Sequence, residues 1–333
     1  MANVLTDLAA DIYKAADIVG REQVGFIPSV TINQVANVMI PWTGEDIRSV
    51  NNGAGYETIY GDQIAQAMRG IVNTIEAYLG GVVYKGASRA VGAAGTTPFG
   101  SNFDIVAEAR QVLIDNGMPQ DGQTTMVLNT TAGTKLRNLA QLQKANEAGG
   151  TQLLRQGTLL DLQGMMIKES VLGVQSHTKG TGASKLVNGA LSAGATTITT
   201  DGGSGTIVVG DVVTFAADTV NKYVVTGELA SGSFTIAAPG LRVDIPDNNA
   251  ITVGNNYAGN AAFHRAAVEL VVRPPAQPQG GDAAVDRMTV QDPFSGLVFE
   301  MAAYKGYGKS MLDITTFYDA KVWKEDFVTA VMG

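Results

Sequence analysis

Residues 180–258 most constrain what this chain can fold into, because they do not resemble the sequence on either side. The stretch is rich in Gly, Thr, Val, Ala and Ser and low in charge. It reads as short alternating strands: TTITT (196–200), GTIVVGDVVTFA (205–216), KYVVTG (222–227), GSFTIAA (232–238) and AITVG (250–254). The flanking sequence mixes helix and strand. A small β-module set inside another domain, with no catalytic constellation in view, points to an assembled or binding protein before an enzyme.

At 333 residues the chain can bury a sizeable core and divide into two compact units. Only 16% of its residues are charged, so much of its surface can be covered by neighbours, which suits an oligomer. The net charge of −8 comes without any block of Lys and Arg interleaved with aromatics, the footprint that direct nucleic-acid recognition needs. With no Cys, disulfides, thiolate metal sites and Cys nucleophiles are excluded. The opening residues carry acids where a signal peptide needs a basic start and an apolar core. No run approaches the roughly 20 apolar residues that span a bilayer. A soluble chain made in the cytoplasm is the expectation.

Residues 4–19 place Val4, Leu5, Leu8, Ile12, Ala15, Ala16 and Val19 at helical spacing. Asp7 and Asp11 are i,i+4 neighbours on this helix; such a face is ordinarily a solvated one, and an interaction face is the alternative. The longest helix is expected over 62–84, where Ile64, Met68, Ile71, Ile75, Tyr78, Leu79 and Val82 trace one stripe. Further helices are expected over 102–116, closed by Gly117, and over 131–146. Strands are expected over 124–129 and on either side of Gly164. After the β-module, residues 260–275 read as a short helix running into a strand that stops at two prolines. From 287 the chain is strand-rich, with a turn over 292–296 and a final run from 309 that pairs back. Strands before and after the module imply that the two ends of the core meet in one sheet.

Candidate chemistry fails on spacing. GYGKS (306–310) ends like a phosphate-binding loop, but Ala303 stands where the motif needs Gly, and its flanks read as two strands. Ser176 and Lys179 mimic a Ser-x-x-Lys pair, yet lie among Gly and Thr without the partner motifs. The two histidines, His177 and His264, are far apart and belong to no metal-binding spacing. Asp and Glu are scattered, with no motif that pairs them. No catalytic, cofactor-binding or metal residue is nominated.

Several segments carry a resemblance: IPWTGEDIRSVNNGAGYETIYGDQIAQAMRGIVNTIE (40–76), GASRAVGAAGTTPF (86–99) and LRNLAQLQKANEAGGTQLLRQGTLLDLQG (136–164). It continues through GDVVTFAADTVNKYVVTG (210–227), APGLRV (238–243) and DPFSGLVFEMAAYKGY (292–307). In this order, over nearly the whole chain, they resemble the P22-like branch of the tailed-phage major capsid proteins, which have the HK97-like coat fold. The resemblance implies an α+β coat fold with an all-β insertion domain. It divides the chain into an N-terminal arm (1–28), a shortened E-loop region with the start of the peripheral domain (29–61), and the spine helix with part of the axial domain (62–174). The insertion domain (175–258) and the axial and peripheral return strands (259–333) complete it.

The implied function is self-assembly into an icosahedral head. The implied partners are further copies in hexameric and pentameric capsomers, scaffolding and portal proteins, and packaged DNA enclosed without sequence-specific binding; no membrane and no cofactor are implied. Asp7 and Asp11, on the arm, would face a basic partner during assembly. One departure concerns the E-loop, the long hairpin that the family places before the segment here beginning IPWTGED. Only residues 29–39 are left for it, about 36 Å when fully extended and less than half that as a hairpin. Either the subunit assembles with a short loop or part of a longer one is absent from this chain.

Two other readings compete. A carrier with a β-rich, adhesin-like or carbohydrate-binding module would need exposed aromatic platforms, whereas Phe215, Tyr223, Phe234 and Tyr257 read as core positions. An enzyme of unassigned class would need a deep polar pocket with perturbed acids.

Overall fold

The computed structural model describes residues 30–50, 56–143, 161–293 and 295–333. Contacts divide the chain into residues 1–31 and 32–333, and every element below belongs to the second unit. Its longest helix, α2 (Tyr56–Lys85), follows β1 (Gln34–Thr43) and the short α1 (Gly44–Val50). At thirty residues it extends about 45 Å, beginning a turn and a half ahead of the expected start at Asp62. The apolar stripe continues back through Ile59 and Tyr60, which pack against the same core as Ile71 and Ile75. Farther along, Val83 and Tyr84 enter a different core, so one stripe serves two.

The first core lies between α2 and a five-stranded antiparallel sheet formed by β1, β13 (Val268–Arg273), β14 (Ala284–Gln291), β15 (Val298–Gly306) and β16 (Lys309–Val322). Alternation along β1 sends Ala36, Ile40 and Trp42 inward and leaves Val35 and Met39 on the outer face, as the two-residue strand period requires. The fourteen-residue β16 holds the sheet together: it pairs with β1 from Lys309 to Tyr318, with β15 from Lys309 to Thr315, and with β13 from Phe317 to Val322. The β14–β15 hairpin closes over the expected turn, with Gln291 opposite Val298. Of residues 29–39, all from Gln34 on are committed to β1 and paired to β16, so they form no hairpin of their own.

The second sheet contains β2 (Arg89–Gly92), β3 (Thr124–Leu128), β4 (Met166–Glu169), β12 (Tyr257–His264) and β17 (Val328–Met332). Its β2 and β17 are parallel and bring the chain's last strand beside the end of α2. Helices α3 (Asp104–Asp115) and α4 (Thr130–Arg137) cover it with Val106, Leu113, Ala132 and Leu136 against Met126, Leu128 and Ile167. Asn129 caps α4, its Oδ1 accepting from Ala132 N at 2.8 Å. The helix expected over 131–146 breaks after Arg137 and resumes as the single turn α5 (Ala140–Gln143).

The β-module runs through β5 (Ser176–His177), β6 (Lys185–Val187), β7 (Thr197–Asp201), β8 (Val212–Phe215), β9 (Asp218–Ala230), β10 (Ser233–Ile236) and β11 (Ala250–Val253). It has its own core of Val187, Ile198, Ile207, Val213, Phe215, Tyr223, Phe234 and Ile236. It is not an isolated bead: β9 pairs with β2 through Tyr223 and Lys222, making one twelve-stranded sheet of module and body. The strand expected over 205–216 is confined to Val212–Phe215, because residues 208–211 turn on Asp211 and on Gly210 at φ 96°.

One expectation fails outright. Residues 260–275 contain no α-helix; β12 and β13 meet at a single 3₁₀ turn, Arg265–Ala267. Ala261 and Ala262 are hydrogen-bonded into a sheet on both sides, to β17 and to β3, and that pairing outweighs alanine's helical preference. Helices and strands are thus combined in an α+β architecture, with the two ends of the unit meeting in both sheets.

Candidate functional site

The densest polar constellation lies at the seam between module and body. Arg89, on β2, is 7% exposed. Its Nη1 donates to Asn221 Oδ1 at 2.9 Å, and its Nη2 to Asn116 Oδ1 at 3.2 Å and to the Val112 carbonyl at 3.3 Å. Arg242 from the module also donates to Asn116 Oδ1, and to the Asp115 carbonyl at 3.3 Å. Asn116 in turn donates to the Asp326 carbonyl at 2.7 Å and to Ser88 Oγ at 3.1 Å. One side chain at the end of α3 therefore joins β2, the module and the turn before β17.

Tyr223 extends the network, donating to Asp218 Oδ2 at 2.6 Å and accepting from Arg242 N at 2.9 Å. Burial, reinforced by Arg242, lowers the pKa of the Arg89 guanidinium, with Asp115 opposing. Burial, then the bond to Asp218, pushes the Tyr223 phenol up. Glu325, whose Oε2 accepts from Ala238 N at 2.7 Å, is likewise raised by burial. This is a structural fastening: most of its donors and acceptors are spent on one another, while Arg89 Nε is buried without a hydrogen-bond partner.

A second fastening ties the module to the end of α2. His177 Nε2 lies 2.9 Å from Asp211 Oδ1, and Tyr84 Oη lies 3.4 Å from His177 Nδ1. A proton on Nε2 satisfies both contacts. Asp211 is fully buried and also accepts from Gly180 N at 3.0 Å and Val208 N at 2.9 Å. Tyr257 donates to the Gly210 carbonyl at 2.6 Å and closes an aromatic cluster with Tyr84 and His177. Gly210 is required here: a Cβ would lie 3.0 Å from the His177 ring.

The motifs seen in sequence separate in space. His264, at the far end of β12 from Tyr257, meets Asp121 at 2.9 Å and takes no part in the His177 cluster. Ser176 is exposed, and Lys179 Nζ reaches Asn255 Oδ1 at 3.4 Å instead. GYGKS is the turn of the β15–β16 hairpin, with strands on both sides. Among the described residues no group of three or more His, Asp or Glu is placed to hold a metal ion. No helix among them is long and apolar enough to cross a membrane. Phe215, Tyr223, Phe234 and Tyr257 are all buried, so none offers a sugar platform. Asp7 and Asp11 lie outside the described residues.

What remains exposed is apolar surface on sheet edges. In the five-stranded sheet β13 pairs with β16 alone, and β1 and β14 lie at the two ends of the strand order β1-β16-β15-β14. They carry Val35 and Met39, and Val285 and Met288, each more than half exposed. Free edges bearing large apolar side chains are ordinarily covered by another strand or chain. The sequence predicted none of this surface, nor the seam, since both depend on which strand ends outermost.

Over 96% of its length the chain is similar to a chain of solved structure from Mycobacterium phage Che8, at 17% identity and a TM-score of 0.46, spanning 78% of that chain. It is similar to the mature capsid of bacteriophage PhiM1 at 12% identity and a TM-score of 0.43, over 94% of this chain and 77% of that one. The capsid of cyanophage P-SCSP1u gives 12% identity and 0.43, over 94% and 79%. No family model matches the chain, and no curated protein matches it by sequence.

Proposed function

We propose that the chain is the major capsid protein of a tailed double-stranded DNA phage, assembling with copies of itself into the icosahedral head that encloses the genome. The observation that carries the reading is how the segments quoted for the resemblance come together. Residues 40–76 supply the end of edge strand β1 and most of the long helix, and residues 292–307 supply the turn and strand β15 of the same sheet. Residues 210–227 build the centre of the β-module, spliced between β4 and β12. A long helix over a sheet made from both ends of the unit, with a β-module let into the second sheet, suits a subunit of the HK97-like coat fold.

On this reading α2 is the spine helix, residues 175–258 are the insertion domain, and residues 259–333 return the axial and peripheral strands. The P22-like branch is supported by the position of the module in the chain. Residues 29–39, largely absorbed into β1, leave a shortened E-loop, and overlap between subunits falls to other edges. Asp7 and Asp11 face a basic surface on a neighbour or scaffolding protein. The acidic balance of the chain suits a wall that holds DNA without adhering to its phosphates.

Sedimentation velocity of the full-length chain tests this reading. A capsid subunit sediments as capsomers or megadalton particles, alone or with its scaffold, in place of a 34.7 kDa monomer. A strict monomer under every assembly condition contradicts it.

A further inference from the structure

The β15–β16 hairpin ends in a two-residue loop, Tyr307-Gly308, closed by the pairing of Gly306 with Lys309. Gly308, at φ 64°, supplies the left-handed turn residue. The loop holds Tyr307 entirely in solvent, at 106% exposure, and residues 305–310 are exposed around it. An aromatic ring on a two-stranded stalk between Lys305 and Lys309 is left uncovered by the described residues. Aromatic rings bury about 150–250 Å² when covered, and Tyr is among the commonest anchors of protein interfaces.

A receptor of matching chemistry lies beside the free edge of β1. Between that strand and the first turns of α2 runs a groove of about 610 Å³, floored by Val38, Pro41, Ile59 and Ala67 and bordered by Asp62. It continues into a hollow of about 320 Å³ that shares Pro41 and Ile59 and adds Asp46. These volumes lie in the range of sites that hold organic groups, roughly 300–1,000 Å³. The rim is acidic where the stalk is basic. Thr43 pairs with Lys309 and Pro41 with Met311, so groove and hairpin stand at the same end of one sheet. A two-fold axis near that end would therefore seat each hairpin in the other copy's groove, a self-complementary interface.

We propose that Tyr307 is a docking knob joining two copies of this chain, its ring held between β1 and α2 of the second copy with Lys305 and Lys309 facing Asp46 and Asp62. The proposal deepens the capsid reading and rests on it, naming one contact by which the shell is built.

The chain has no cysteine, so disulfide trapping tests the contact cleanly. Full-length Tyr307→Cys chains are mixed with tagged full-length Gln66→Cys chains, Gln66 lining the groove, and oxidised mildly during assembly. The expected product is a tagged–untagged dimer at least tenfold above that from a control pairing Tyr307→Cys with Val243→Cys on the module. Tyr307→Ala, at a position outside the packed core, is expected to fold normally and to lower particle yield at least tenfold. Replacing Asp46 and Asp62 by Lys is expected to do the same, with partial recovery when Lys305 and Lys309 become Glu. Tyr307→Cys and Gln66→Cys chains that assemble into particles yet give no mixed disulfide above the control, with Tyr307→Ala assembling normally, overturn the knob and leave the capsid reading standing. A wild-type chain that does not assemble, together with cysteine-bearing chains that do not cross-link, overturns both.

Discussion

Tyr78 donates its phenol hydrogen to Asp319 Oδ1 at 2.8 Å, fastening the C-terminal third of the long helix to the strand that holds the first sheet together, 241 residues later. Asp319 also accepts from Asn33 N at 3.1 Å and from its neighbour Ala320 N at 2.7 Å. Burial alone would raise its pKa, but these three donors outweigh burial and hold it below the ordinary carboxylate value. Burial, then the bond to Asp319, pushes Tyr78 up to about 12.

The pair makes stability depend on pH at both ends. A carboxylate with a lowered folded pKa stabilises the fold above its unfolded pKa and loses that contribution as pH falls through the folded value. A phenol with a raised pKa stabilises fully below its unfolded value, about 10, and loses the contribution as pH rises toward 12. Tyr78→Phe is expected to cost about 1.5–3 kcal/mol at neutral pH, the range for hydrogen bonds to charged groups. Urea midpoints across pH check this: the gap between wild type and variant should narrow on acidifying through the carboxylate range. A gap that is constant with pH contradicts the assignment.

Gly80 is a helix residue that alanine cannot replace. A Cβ there would lie 1.7 Å from the Gly173 carbonyl oxygen, a backbone atom of the loop after β4. Gly80→Ala is expected to destabilise by about 1–3 kcal/mol through overpacking, despite a helical preference for Ala of about 1 kcal/mol. Gly70→Ala on the same helix, with nothing within 4 Å, is the control and should be neutral or stabilising. Thermal unfolding of the two variants separates close approach from propensity.

Val213 and Val224 are both fully buried but serve different cores. Val213 faces the module's own interior, and Val224 faces the core shared with Val83, Tyr84 and Ala87 of the body. Aspartate at either position buries an unpaired charge, at a cost on the order of 3–5 kcal/mol. Both variants are expected to accumulate as insoluble protein. For the milder Val→Ala changes, proteolysis should differ: Val213→Ala exposes the module alone, and Val224→Ala also exposes the end of α2. Equal solubility of wild type and both aspartate variants would contradict these placements.

Arg89 is the side chain that the seam cannot spare. Arg89→Met leaves Asn221 and Asn116 short of a donor and is expected to cost about 1–3 kcal/mol. Arg89→Lys recovers little, because an ammonium cannot reproduce the planar fork that reaches Asn221, Asn116 and Val112 together. Limited proteolysis within residues 175–258 should accelerate in both variants. An unchanged cleavage pattern would show that pairing of β9 with β2 alone sets the module in place.

The readable parts of this fold were those with a local signature. The stripe from Ile64 to Val82 placed the long helix, and the Asp292–Gly296 turn placed the β14–β15 hairpin. Gly117, at φ 84°, stands just after α3 as expected of a helix stop. Residues 260–275 misled because Ala261 and Ala262 sit in a strand for reasons supplied by β3 and β17, far away in sequence. The seam was invisible for the same cause: Arg89 is separated from Asn116 by 27 residues and from Asn221 by 132, a spacing that no motif encodes. The knob, by contrast, was in plain view as GYGKS. A phosphate-loop pattern gives weight to Lys309 and Ser310 and has no place for Tyr307.

Electron microscopy of the purified chain, alone and with a candidate scaffolding protein, tests the central claim most directly. The account predicts closed shells, tubes or rings built from five- and six-subunit capsomers. A homogeneous monomer or small oligomer under both conditions would contradict it.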